Sequence, residues 1–173
     1  HLATHANMKP EKNEYGEYYE RYIGLVQNAN LIDALKQSEP ASYSFWNSIS
    51  EEHACFRYAK DKWSIKELLQ HIIDTERIFS YRALSFARGE SIDLPGYDEN
   101  AYADNCFADS RPYENMVNEL LTLRKSTIQL FASFREESLC EMGNASNSPL
   151  SSRAAGFIIV GHEIHHISIV KER

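Results

Sequence analysis

Between Ala154 and Val170 the chain reads Ala-Ala-Gly-Phe-Ile-Ile-Val-Gly-His-Glu-Ile-His-His-Ile-Ser-Ile-Val, and this stretch constrains the fold more than any other. At about 100° per residue its apolar side chains point in nearly every direction, the mark of a helix buried on most sides. It nevertheless carries three imidazoles and a carboxylate, on His162, Glu163, His165 and His166. A buried polar group costs roughly 2–7 kcal/mol unless it is paired or ligates a metal. A fold built around this helix must therefore supply partners for those side chains.

The partners implied by periodicity are other helices. Tyr15, Tyr18, Tyr19, Tyr22, Ile23 and Val26 recur at spacings of three and four, which predicts a short amphipathic helix. Asn30 can cap a segment carrying Leu31, Ile32 and Leu35; Pro40 is expected to interrupt it before Tyr43, Phe45, Trp46 and Ile49 resume the face. Glu51 to Asp61 reads as a polar connection. Ser64 and Glu67 then form a capping box, and Ile65, Leu68, Leu69, Ile72, Phe79 and Ala83 hold one face up to about Arg88, where Gly89 supplies a stop. A further helix opens near Ser110–Pro112, and the last starts near Ser151. No segment alternates as a strand does, and 7 Gly with 5 Pro are too few for a turn-rich all-β chain. With 173 residues and no repeat or linker, the expectation is a single all-α domain, a four-helix bundle with an extra short N-terminal helix. Two connections, Gly89–Asp109 and Glu137–Leu150, are longer than a bundle needs, and the first fits a lid or binding element.

Composition removes several classes of function. Lys plus Arg is 18 against 25 Asp plus Glu, a net charge of −7 without a basic patch, so nucleic acid is not an expected partner. No apolar run approaches the roughly 20 residues of a membrane span, and no signal peptide opens the chain. Cys55, Cys106 and Cys140 are widely spaced and odd in number, which fits a reducing cytoplasm rather than a disulfide framework. Residues 1–7 read as an added leader ahead of Met8, which leaves 8–173 as the domain and sets His1 and His5 aside.

His162 and His166 lie one turn apart and about 40° apart around the helix axis, so two imidazole nitrogens can share one ion. His165 is about 60° from His162 and about 100° from His166 and reads as a packing residue beside them. A tight site needs a third ligand, and His71 is the other histidine inside a long helix, on a flank where a neighbour can sit; His53 falls in the polar connection. Glu76 sits near the centre of the apolar face of the same helix as His71. It can hydrogen-bond a ligand imidazole, bind an arginine or carry a proton, and Glu76 and Glu163 are the candidate general bases. His162-Glu163-x-x-His166 also matches the HExxH of zinc peptidases. Their third ligand follows the motif, whereas this sequence stops at Arg173, and the edge strand that holds a peptide is missing.

The run Tyr58-Ala59-Lys60-Asp61-Lys62-Trp63-Ser64-Ile65-Lys66-Glu67-Leu68-Leu69-Gln70-His71-Ile72-Ile73-Asp74-Thr75-Glu76-Arg77 resembles the second long helix of DinB-like proteins, the DinB/YfiT superfamily. Gly161-His162-Glu163-Ile164-His165-His166, Tyr81-Arg82-Ala83-Leu84, Ala87-Arg88-Gly89 and Leu94-Pro95-Gly96-Tyr97 resemble it as well, so the similarity spans nearly the whole chain from about Tyr15. The resemblance implies an up-down-down-up four-helix bundle, often dimeric, with one divalent metal, nickel or zinc, on three histidines. These fall on His71, His162 and His166. It implies either a transferase using low-molecular-weight thiols or a metal-dependent hydrolase acting on a small molecule.

An open three-imidazole site suits such an enzyme, with the 89–109 loop as a lid that brings Tyr97 or Tyr102 near the substrate. Thiol transfer would need a cation near the metal, and Arg77 and Arg82 follow His71 on its helix. The competing expectation is a binding or stress-response protein with a structural metal. Structural zinc takes four protein ligands, and only three are found.

Overall fold

Each long helix begins where a neighbouring side chain can satisfy its first backbone donors. In the computed structural model, which describes residues 5–173, Asn30 accepts from Asp33 N at 3.0 Å to open α1 (Leu31–Asn47). Ser64 and Glu67 close the expected capping box at 3.1 and 2.9 Å to open α2 (Ile65–Ala87). Helix α3 (Tyr113–Ser133) follows Pro112, and its first donor, Tyr113 N, is taken by the Glu51 carboxylate at 2.8 Å. Ser151 accepts from Ala154 N at 3.1 Å and opens α4 (Ser152–Lys171). At the far end of α2, Gly89 adopts φ 89°. Glu90 N then reaches Ser85 O at 2.9 Å and Gly89 N reaches Phe86 O at 3.0 Å, a Schellman stop.

The pairing of residues across the bundle fixes its topology. Leu31 packs on Gly156, and Ser42 meets Glu163, so α1 and α4 run parallel. Lys66 reaches Arg111 O and Glu76 meets Thr127, so α2 and α3 run parallel too. His71 faces His162 while Ala83 O accepts from Ser152, which makes α2 and α4 antiparallel. Tyr113 donates to Trp46 O and Arg124 to Ser38, which does the same for α1 and α3. The result is an up-down-down-up four-helix bundle in which α1 and α2, and α3 and α4, lie across the diagonals, while α2 and α3 are parallel neighbours. Helix α4 is fully buried from Ser152 to Glu163 and only half-covered from Ile164 onward. Burial therefore ends at the histidines.

Three expectations are corrected. Pro40 does not interrupt α1, because it lies on the solvent side, where the carbonyl it leaves unpaired meets water. The N-terminal amphipathic segment is shorter than its periodicity, a 3-10 turn Glu17–Tyr19 followed by the helix Glu20–Ile23. The long connections are not strandless. Strands β1 (Asp93–Leu94), β2 (Met142–Ala145) and β3 (Ser148–Ser151) form a small sheet in which β1 runs parallel to β2 and β2 antiparallel to β3. Ser146 and Asn147 turn the hairpin at φ 54° and 61°, the left-handed pair of a two-residue loop.

The sheet thus ties the 89–109 connection down at its start, and the short helix Glu99–Asp104 follows with Asp98 as its cap. Of residues 1–7, the first four lie outside the described residues. The remainder is packed: Ala6 is buried, Asn7 O accepts from Leu31 N at 2.7 Å, and His5 O accepts from Arg153 at 3.0 Å.

Candidate metal centre

Antiparallel packing of α2 on α4 carries His71 to the level of His162 and His166, and the three Nε2 atoms converge. His162 Nε2 lies 3.0 Å from His71 Nε2 and 3.1 Å from His166 Nε2. Nitrogens about 2.1 Å from a common ion stand about 3.0 Å apart when they subtend 90°, so the donor set fits a single divalent cation. All three rings are neutral at ordinary pH because burial disfavours the charged form. Desolvation lowers His71 to about 4 and His166 to about 3, and it holds His162 well below its usual value. Neutral imidazole is the ligating form, so protons do not compete for the site near pH 7. Nδ1 of His166 is buried without a hydrogen-bond partner among the described residues, and the Trp63 ring stands 5.0 Å from His71.

His165 is outside the trio. Its ring is half-buried and packs edge-on to Tyr22 at 5.4 Å. His53 is exposed, stacked on Phe56. Glu76 and Glu163 are buried and converge on one guanidinium. Arg124 Nε reaches both Glu76 oxygens at 3.1 and 3.0 Å, and its Nη2 lies 2.7 Å from Glu76 and 3.0 Å from Glu163. Thr127 donates to Glu76, while Ser42 and Trp46 donate to Glu163 at 2.8 and 2.9 Å. This network touches all four helices. Because Glu163 follows His162 directly, it also fixes the rotation of α4 that aims His162 at His71.

The carboxylate beside the histidines is Glu99, with Oε2 3.8 Å from His71 Nε2 and the side chain half exposed. Sequence reading missed it, since nothing in the periodicity of a connection says which residue turns inward; the Asp98 cap was the available signal. Next to it, Tyr97 hydrogen-bonds Thr75 at 3.1 Å and packs on Tyr102 at 5.0 Å. A cavity of about 130 Å³ opens here, lined by His162, Glu99, Tyr97, Tyr22, Phe79 and Arg82 among others. Tyr22 arrives through a backbone contact: a Cβ on Gly161 would stand 2.0 Å from Tyr22 O. Only glycine lets the N-terminal segment lie this close to α4, with the Tyr22 ring 5.2 Å from His162.

The family model described as the DinB superfamily matches residues 34–170. This chain belongs to the DinB superfamily. A protein of Oceanobacillus iheyensis named "putative metal-dependent hydrolase" is 25% identical over 127 residues, which are 72% of this chain and 72% of that protein. Among solved structures, YfiT from Bacillus subtilis is described as a probable metal-dependent hydrolase with an unusual four-helix bundle topology. It superposes with a TM-score of 0.71 at 14% identity, over 96% of this chain and 94% of YfiT. That likeness establishes the fold. No helix among the described residues is long and apolar enough to cross a membrane.

Proposed function

We propose that this DinB-superfamily protein is a metal-dependent hydrolase of small molecules, with His71, His162 and His166 holding one divalent ion. The observation that carries the reading is the convergence of three desolvated, neutral Nε2 atoms from two helices. The naming of the Oceanobacillus relative supports it. Three imidazoles leave coordination positions open, and imidazole sets suit zinc and nickel, so these are the metals to expect. A divalent ion bound there supplies Lewis acidity toward a carbonyl or phosphoryl oxygen and toward water.

The chain's own residues supply the rest. Glu99, beside His71 and partly open to solvent, is placed to take a proton from an attacking water; Glu76 and Glu163, both held by Arg124, are not. Tyr97 and Tyr22 wall the cavity against bulk water. The sheet that pins the connection at Leu94 keeps Tyr97 and Glu99 in register with the histidines.

The test is turnover of a panel of small esters, amides and phosphoesters by metal-loaded protein. Hydrolysis should vanish on chelation and return on re-addition. Glu99→Gln should lower kcat about 100-fold or more with its metal content unchanged. Hydrolysis that survives chelation, or a Glu99→Gln variant as fast as wild type, contradicts the assignment.

A further inference from the structure

Of the arginines, Arg82, Arg124 and Arg153 are buried. Arg124 is neutralised by Glu76 and Glu163, and Arg153 by Glu14 at 2.6 Å. Arg82 is 3% exposed and forms no ion pair among the described residues. Its single hydrogen bond among the described residues runs from Nη2 to Pro95 O at 3.2 Å, and its guanidinium lies over the Phe79 ring at 4.9 Å. One carbonyl uses one of five N–H donors. A buried cation without a counter-ion is unfavourable unless something else brings the negative charge. Arg77, the other cation downstream of His71, is exposed and already paired with Glu119 at 3.0 Å.

Position makes the missing charge informative. Arg82 lines the same cavity as His162 and Glu99, together with Tyr18, Tyr19, Phe79 and Tyr97. It sits three turns after His71, about 16 Å along the axis. Side chains on a helix lean toward its N-terminus, so the guanidinium leans back toward the histidines. The cavity is therefore lined by a cation, Arg82, and by one imidazole of the trio, His162, with aromatic walls from Tyr18, Tyr19, Phe79 and Tyr97. Its volume of about 130 Å³, close to that of a cavity that takes benzene, suits only a small molecule.

We propose that Arg82 anchors an anionic substrate, a small molecule whose terminal carboxylate or phosphate sits on the guanidinium while the group to be cleaved lies toward His162. This deepens the hydrolase reading and rests on it for the word substrate; the anion site itself rests on Arg82 alone. Arginine presents a planar fork matched to either oxyanion, so the chemistry of the head group is shared and the source is left to experiment.

The test is calorimetric titration with three probes: N-acetylglycine, its uncharged amide N-acetylglycinamide, and inorganic phosphate. The proteins are wild type, Arg82→Gln and Arg82→Lys, each with metal and after chelation, with metal content measured in parallel. At least one anion should bind wild type about tenfold or more tighter than the amide, and the tighter anion identifies the head group. Arg82→Gln should lose that preference while keeping wild-type metal content, and Arg82→Lys should retain part of it. Equal affinity for charged and uncharged probes, no anion binding at millimolar concentration, or an Arg82→Gln variant that binds the anion as wild type does would each overturn the proposal. Should Arg82→Gln fail to fold, the charged and uncharged probes on wild type decide alone. Anion binding that persists in protein unable to hold metal would leave the Arg82 site standing while the hydrolase reading fell.

Discussion

Replacing Arg124 with methionine removes the one cation shared by Glu76 and Glu163. Arg124 is 1% exposed, and the two carboxylates are 1% and 2% exposed, so water cannot replace what is lost. The variant loses three contacts to Glu76, one to Glu163 at 3.0 Å, and the 2.5 Å bond to Ser38. Removing one partner of a buried ion pair costs about 3–5 kcal/mol. Thr127, Ser42 and Trp46 still donate to the stranded carboxylates, which places the expectation near 3 kcal/mol, or about 6–12 °C in Tm for a chain of this length.

Urea unfolding followed by far-UV circular dichroism reads the loss directly. The cost comes from uncompensated charge and not from lost packing. The triple variant Arg124→Met, Glu76→Leu, Glu163→Met should therefore recover most of the stability. Because Glu163 orients α4 beside His162, metal affinity should fall in Arg124→Met as well. A loss below about 1 kcal/mol, or a triple variant that unfolds as readily as Arg124→Met, would refute the network as the brace of the bundle.

Other consequences are as direct. Gly161→Ala sets a methyl 2.0 Å from Tyr22 O, where only backbone can give way; it should cost about 1–3 kcal/mol and make the Glu17–Ile23 segment accessible to limited proteolysis, while Ala at exposed Gly89 leaves that segment protected. Burial lowers His71 to about 4 from an unfolded value near 6.5, so the unfolded chain binds the extra proton first. Stability of the metal-free protein is therefore fully present above about pH 6.5 and falls as pH drops toward 4, by about 3 kcal/mol from His71, readable as urea midpoints across that range. A flat profile between pH 6.5 and 4 would contradict buried neutral rings. Glu163→Gln keeps the side chain's volume but weakens its pairing with Arg124; it should lower stability without removing the metal, as measured by melting and elemental analysis together.

The bundle and its three histidines were legible because their signals are local and periodic. Ser64 and Glu67 announce α2, and a helix as apolar as Ala154–Val160 has to be surrounded, so His162 and His166 had to find partners. The sheet was not legible. Its strands read Asp93-Leu94, Met142–Ala145 and Ser148–Ser151, with Gly, Asn, Ser and Pro in place of the β-branched and aromatic residues that mark strands, and their pairing is set by contacts with residues far along the chain. Pro40 misled because on the solvent side of α1 water meets the carbonyl it leaves unpaired, so the helix bears the cost of the proline without ending there. Glu76 and Glu163 could be seen as odd carboxylates on buried faces, but the residue they share, Arg124, lies on a third helix that periodicity alone does not orient. Glu99 was hidden for a related reason: a residue in a connection acquires its position from the sheet that anchors the connection.

Elemental analysis of protein purified without a nickel column shows whether His71, His162 and His166 hold an ion. About one divalent ion per chain is expected, lost in both His71→Ala and His162→Ala while far-UV circular dichroism shows the helices intact. Wild-type protein that carries no metal and gains none on addition of zinc or nickel would contradict it.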